Sequence, residues 1–115
     1  MALTEFEQKR IEKTVGDYVE KRRPPPNIRD KVDIAYRISG QSVEIFEVRP
    51  VWNAPDQTME NPVAKATWVK TQQAWKIYWQ RADLKWHGYE PKPRVKRIEE
   101  FLALLDNDEY GCFWG

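Results

Sequence analysis

The chemistry-bearing residues of this 115-residue chain gather between positions 79 and 97. The run Trp79-x-Arg81-x-Asp83-Leu84-Lys85-Trp86-His87-x-Tyr89 mixes rings with ionisable groups, and Lys92, Arg94, Lys96 and Arg97 follow it. Interleaved aromatics and cations suit a single-stranded nucleic acid, whose bases stack on rings while cations follow the phosphates. The candidate binding set is therefore Arg81, Lys85, Trp86, His87, Tyr89, Lys92, Arg94, Lys96 and Arg97. Within it Lys85, Lys92, Arg94, Lys96 and Arg97 take phosphates, and Trp86 and Tyr89 stack. The competing reading is that the rings are core. Trp68, Trp75, Trp79 and Trp86 fall within 19 residues, and Trp75 and Trp79 share a strand face with Ile77. There is no RNA-recognition signature, so the signal is compositional.

Other chemistries are weaker. His87 is the sole histidine and Cys112 the sole cysteine. They would make a base and a nucleophile, but nothing in the sequence brings them together. A structural Arg81–Asp83 pair across a turn is expected. Asp33 followed by Glu47-x-Arg49 has the carboxylate–carboxylate–cation form of a magnesium-dependent nuclease, with Arg where such sites usually carry Lys. Asp106-x-Asp108-x-x-Gly111 begins like a calcium loop, but Tyr110 stands where an oxygen ligand is required. No phosphate-binding glycine loop or nucleophile elbow occurs. No catalytic residue, metal site or cofactor is assigned.

These groups need a scaffold. Thr4-x-x-Glu7 is a capping box, and Ile11, Val15, Tyr18 and Val19 form one stripe, which predicts a helix from Thr4 to about Arg22. Gly16 weakens that helix, and Pro24-Pro25-Pro26 ends it. Val32–Ile38 and Val43–Val48 alternate as a hairpin turning at Gly40. The alternation of the return strand is imperfect, with Val43 and Ile45 facing one way and Phe46 and Val48 the other, which a bulge or burial on both faces would explain. Residues 50–62 read as a loop containing Trp52. Val63–Thr71 and Ala74–Arg81 form a second hairpin turning near Gln72-Gln73, and Leu84–Tyr89 is a short strand or turn. A last helix runs from about Pro93 to Leu105, with Asn107 as its left-handed terminator. The aromatic tail Gly111–Gly115 docks on the core. The expected fold is one α+β domain over 1–115: an N-terminal helix, an antiparallel sheet of about four strands from two hairpins, and a C-terminal helix. At this length a single core suffices without disulfide or metal, since folding hides roughly 65% of the chain's surface.

Charge sharpens the functional reading. The formal net charge is only +1, yet residues 63–97 hold nine Lys/Arg against Asp83 and Glu90, a local +7. Residues 98–115 hold five acids and no Lys or Arg. Either the acidic tail folds back on the basic segment, or that segment is open to a polyanion. With the last helix starting near Pro93, its cations sit at the positive end of the macrodipole and its acids at the negative end. Each placement is unfavourable by roughly 0.3–1 kcal/mol, which suggests an anion site at the helix start.

Arg49-Pro50-x-Trp52, Ala64-Lys65, the Trp79–Tyr89 run and Gly111-Cys112-Phe113-x-Gly115 together resemble a small bacterial family known as domain of unknown function 3024. The resemblance spans roughly residues 5–115. It implies a stand-alone bacterial protein and carries over no activity or catalytic residue. The element spacing also resembles double-stranded-RNA-binding domains at the level of fold alone. The start of the chain has no apolar leader and no stretch is long enough for a membrane span, so a cytoplasmic protein is expected. The leading expectation is a non-enzymatic binding module for an anionic polymer, most plausibly nucleic acid, using residues 63–97. The alternatives are a protein–protein adaptor or homodimer, through the oppositely charged segments or the aromatic tail, and a magnesium nuclease built on Asp33, Glu47 and Arg49.

Overall fold

Hydrophobic periodicity switches from helical to alternating and back along the chain, and the computed structural model, which describes residues 3–114, follows it. Helix α1 (Glu5–Arg22) is started by Thr4, whose Oγ1 accepts from the Glu7 amide at 3.1 Å while Glu7 accepts from the Thr4 amide at 3.2 Å. The prolines end it, and a single 3₁₀ turn (Pro26–Ile28) leads into the sheet. Six antiparallel strands follow: β1 (Asp33–Ser39), β2 (Ser42–Val51), β3 (Ala54–Val69), β4 (Ala74–Gln80), β5 (Trp86–Gly88) and β6 (Arg94–Val95). Helix α2 (Ile98–Asn107) closes the domain.

β1 to β5 are neighbours in chain order, and β6 pairs with β4 beside β5. Helix α1 lays Ile11, Val15 and Val19, and α2 lays Ile98, Phe101, Leu102 and Leu105, against Val43, Ile45, Ala66, Trp75 and Ile77. Cross-strand partners share a face. Val43↔Ala66↔Ile77 and Ile45↔Ala64↔Trp79 therefore define the inner face beneath the helices. The outer face carries Arg37↔Glu44↔Lys65↔Tyr78 and Ser42↔Thr67↔Lys76↔Arg94.

Three features depart from the sequence expectation, and one, the second below, meets it. Residues 50–62 are not a loop: β2 and β3 continue as a paired ribbon to a two-residue turn at Trp52-Asn53, with Pro50↔Thr58 and Val51↔Ala54 as its last pairs. Proline and polar residues masked this, because a solvated two-stranded ribbon has no buried face to impose alternation. Second, the irregularity at Ile45/Phe46 is a register shift opposite Val63. The extra residue is Val63 on β3; β2 keeps its alternation, so Phe46 follows inward Ile45 on the outer face, where the Arg37 guanidinium lies 4.5 Å from its ring centroid. Third, α2 begins at Ile98 rather than Pro93, because Arg94 and Val95 are taken by the sheet. Fourth, the left-handed residue after α2 is Asp108 (φ 38°), one beyond Asn107.

Gly16 has a packing reason. A Cβ there would lie 3.1 Å from the Tyr36 hydroxyl, which donates to the Glu12 carbonyl across the α1–β1 contact. The helix cost of glycine is the cost of letting that tyrosine in.

Candidate functional site

Residues 86–95 behave as one edge strand interrupted in its middle. β5 pairs Gln80↔Trp86 and Tyr78↔Gly88, while β6 pairs Lys76↔Arg94 and Trp75↔Val95. Between them the Ile77 carbonyl accepts from the Tyr89 amide at 2.9 Å and the Ile77 amide donates to the Pro93 carbonyl at 3.0 Å. Pro91 and Pro93 suit an edge because they offer no amide for a further strand. The cations assigned by sequence to a helix start instead line this sheet edge: Lys92 in the loop, Arg94 on β6 and Lys96 just after it. Only Arg97 caps α2. Its amide donates to Glu100 Oε1 at 3.1 Å. Glu99 and Glu100 fill the first turn, so the macrodipole is respected there and that end already holds its own anion. The expected anion site at the helix start does not exist in this form.

Two clefts run together along the edge. Lys92, Arg94, Lys96, Gln72 and Glu100 border one of about 370 Å³. Lys76, Tyr78, Gly88, Pro93, Gln72 and Arg94 border the next, of about 340 Å³. Gln72 and Arg94 belong to both, and Arg94 donates to Gln72 Oε1 at 3.2 Å. Register places Trp86 on the outer face beside this groove. The Lys65 ammonium lies 5.0 Å from both the Trp86 and the Tyr78 ring centroids. Tyr78 and Trp86 are half-buried. Tyr78 is the stacking candidate that sequence reasoning missed. Its place in register opposite Gly88 sets it on the groove, with the Lys65 ammonium over its ring.

Tyr89 is not a stacking surface: it is buried, its ring centroid 4.8 Å from that of Phe113. Burial holds its phenol above the ordinary tyrosine range. Trp75 is core, and Trp79 packs against the core on the inner face. Arg81 does not pair with Asp83. Its guanidinium lies over Trp79, 5.5 Å from the centroid. Asp83 instead accepts from the Lys85 amide at 3.0 Å and sits 2.8 Å from His87 Nε2, and these two bonds, the amide first, hold its carboxyl below the usual range. Lys85 lies in the exposed turn between β4 and β5. His87 and Cys112 line one cleft, yet no hydrogen bond joins them among the described residues. Burial, with the Asp108 carboxylate adding to it, pushes the Cys112 thiol up and makes it a poor nucleophile.

The nuclease constellation is not assembled. Ile34↔Glu47 and Asp33↔Val48 are cross-strand pairs, so Asp33 and Glu47 point to opposite faces of the sheet. Arg23 grips Asp33 through two bonds of 2.9 and 2.8 Å, and Arg49 pairs with Glu47 at 3.3 Å. Among the described residues no three His, Cys, Asp or Glu side chains converge on a point able to hold a metal ion. The Arg23 guanidinium, with the Ile34 amide helping, holds the Asp33 carboxyl below the ordinary aspartate range. A carboxyl depressed by folding adds stability above its unfolded pKa and loses it as pH falls through its folded one. Asp33→Asn is therefore expected to lower stability at neutral pH and to flatten the acid limb of a denaturation series taken from pH 5 downward. An acid limb identical to that of the native protein would show that the pair contributes nothing.

Of the basic segment, the acidic residues 98–115 neutralise only Arg97, which lies 3.8 Å from Glu99, among the described residues. Asp106 pairs with Arg22 and Glu99 with Arg10, each at 3.0 Å and each on α1. Asp108 accepts from the Phe113 amide at 3.1 Å and the Trp114 amide at 2.9 Å, so the tail docks on its own domain, as expected. Trp114 lies under the Arg22 guanidinium and donates to the Leu105 carbonyl. Among the described residues Lys65, Lys76, Arg81, Lys85, Lys92, Arg94 and Lys96 have no carboxylate within ion-pairing distance, whereas Lys9, Arg10, Lys13, Arg22, Arg23, Arg37 and Arg49 all do.

The model of a protein family described as a domain of unknown function, DUF3024, matches residues 3–115. The chain belongs to the DUF3024 family. The match spans the described structure, so the helix–sheet–helix architecture above is that of a DUF3024 domain. No curated protein and no solved structure matches it. The residues that carried the resemblance are dispersed in the DUF3024 domain. Trp52 is at the ribbon tip, Lys65 and Trp86 are on the outer face, and Trp79, Arg81, His87 and Cys112 surround a cleft at the sheet edge. Gly115 lies outside the described residues. No helix of the domain is long and apolar enough to cross a membrane.

Proposed function

We propose that this domain binds single-stranded nucleic acid along the groove formed by the outer face of β4 and the β5–β6 edge. Lys76, Lys92, Arg94 and Lys96 follow the phosphates, and Tyr78 and Trp86 receive bases. The observation that supports this most is the split in ion pairing. Among the described residues seven of the ten Lys and Arg outside residues 63–97 are matched to carboxylates, all but Lys21, Arg29 and Lys31, while Lys76, Lys92, Arg94 and Lys96 along this groove have no carboxylate partner. A fold that had only to carry these charges would gain by pairing them with the acids of α2, which instead bind α1. Rings beside the cations on an open sheet face favour single strands, since a duplex offers no unstacked base. The tail reading of a homodimer loses its anchor, because Phe113 is buried within its own domain.

The test is a titration with single- and double-stranded DNA and RNA, followed by tryptophan fluorescence at about 50 and 200 mM salt. Four phosphate contacts on a single strand give a salt slope of about −3, or a loss of about fiftyfold over that fourfold rise. Trp86 should be quenched, and single strands should bind more tightly than duplexes. Absence of binding to every polymer at low salt would overturn the proposal.

A further inference from the structure

A third cleft lies around the corner from this groove. Trp79, Arg81, His87, Glu90 and Cys112 border a volume of about 330 Å³ at the sheet edge. It shares Gly88 with the groove cleft that holds Lys76, Tyr78 and Arg94. The two face different sides of the sheet: Tyr78 and Gly88 stand in an outer row, Trp79 and His87 in an inner one. Gly88 is thus the crossing point. Its backbone is outside the left-handed region, and a Cβ there would meet no heavy atom within 4 Å. The side of the edge that Gly88 faces is therefore open at this residue.

Beyond the crossing, the chemistry is that of an anion site. The Arg81 guanidinium is laid on the Trp79 ring and has no carboxylate within ion-pairing distance among the described residues. A fork held in place by a ring loses little freedom on gripping an oxyanion. His87 is oriented by Asp83, and Glu90 is the one carboxylate on the rim. Cys112 of the C-terminal tail, which Asp108 pins down, also lines the cleft.

Resting on the reading above, we propose that this cleft binds a terminal phosphate monoester of the nucleic-acid strand, with Arg81 as its principal ligand and His87 beside it. A monoester carries a charge near −2 and three acceptor oxygens, more than an internal diester offers a guanidinium.

The experiment compares oligonucleotides of about 12 nucleotides carrying a 5′-phosphate, a 3′-phosphate or neither. One phosphorylated form is expected to bind about tenfold more tightly than the unphosphorylated one, and Arg81→Gln to bring the ratio of the two affinities to about one. Gly88→Leu, which has room to fold, is expected to remove it as well by blocking the crossing. A second readout needs no polymer. His87 is the only histidine, so its ring signals in an NMR titration report the cleft alone. Inorganic phosphate should shift them in the native protein and in Gly88→Leu, but not in Arg81→Gln. Equal affinity for all three oligonucleotides overturns the end-binding proposal and leaves the groove intact. Failure of every oligonucleotide to bind overturns the groove. A phosphate shift that survives in that case marks a site for free phosphate esters instead, and its absence removes the anion site altogether.

Discussion

Asp108→Ala is expected to lower stability by about 3 kcal/mol and to release the C-terminal tail. Asp108 performs three tasks at once. It adopts the left-handed conformation that ends α2 (φ 38°), and its two carboxylate oxygens accept from the amides of Phe113 and Trp114. Hydrogen bonds to a charged group contribute about 1.5–3 kcal/mol each, and alanine adds the roughly 1–2 kcal/mol strain of a left-handed residue. Part of this is recovered as the freed amides reach water, which brings the net to about 3 kcal/mol. Asp108→Asn keeps the conformation at low cost and one acceptor, so it should restore about half. Denaturant unfolding measures both. The rate of Cys112 alkylation gives an independent readout, because the tail that half-covers the thiol is what Asp108 holds. An alanine variant with native stability and a native alkylation rate would mean that the tail is held by Phe113 and Trp114 packing alone.

The tail also marks where sequence reading stops. Docking of the terminal aromatics was legible from their composition, and so were α1, the β1–β2 hairpin with Gly40 at φ 59° and the apolar stripe of α2. What was lost depended on hydrogen bonds between distant segments. Pro93 followed by a basic run reads as a helix start by local rules, but β4 has a free edge and takes Arg94 and Val95 as a strand. Once that pairing wins, the helix starts five residues later, at Ile98 and the two glutamates that follow it. The apparent conflict between charges and macrodipole was an error of boundary. The ribbon at 50–62 was missed for a similar reason. Its pairing with β2 runs in the register set by Phe46↔Pro62 after the shift at Val63, which no local pattern announces.

The candidate site was legible in kind and not in membership. Composition located the basic aromatic segment, and register sorted it. Lys76, Tyr78 and Lys65 enter because they share rows with Arg94 and Gly88, and Tyr89 leaves because the edge hydrogen bond to Ile77 turns it inward. Whether the acidic tail would neutralise the segment could not be read from charge totals at all. It depends on which helix α2 lies against, and α2 offers Glu99 and Asp106 to α1.

Replacing Lys76, Arg94 and Lys96 together by alanine is expected to weaken single-strand binding by about 500-fold at 50 mM salt and about 30-fold at 200 mM. Each phosphate contact on a single strand contributes about 0.7 to the salt slope, so three lost contacts remove about 2 units and leave a residual slope near −0.7. The two titration lines then converge toward 1 M salt, where counterion release no longer contributes. Stability should change little, because all three side chains lie at the surface of the sheet edge, none pairs with a carboxylate, and Arg94 gives up only its bond to Gln72. The control is Lys9→Ala with Lys13→Ala. These cations are ion-paired on the exposed side of α1, and their loss should leave both affinity and slope unchanged. A residual slope equal to the native one would move the phosphates away from this edge. Equal losses in the control pair would reduce the effect to net charge, since a uniform field does not distinguish a groove from the far side of a helix. The comparison isolates what the ion-pair pattern implies. Position along the β5–β6 edge, rather than the number of lysines and arginines, should decide how strongly a strand is held.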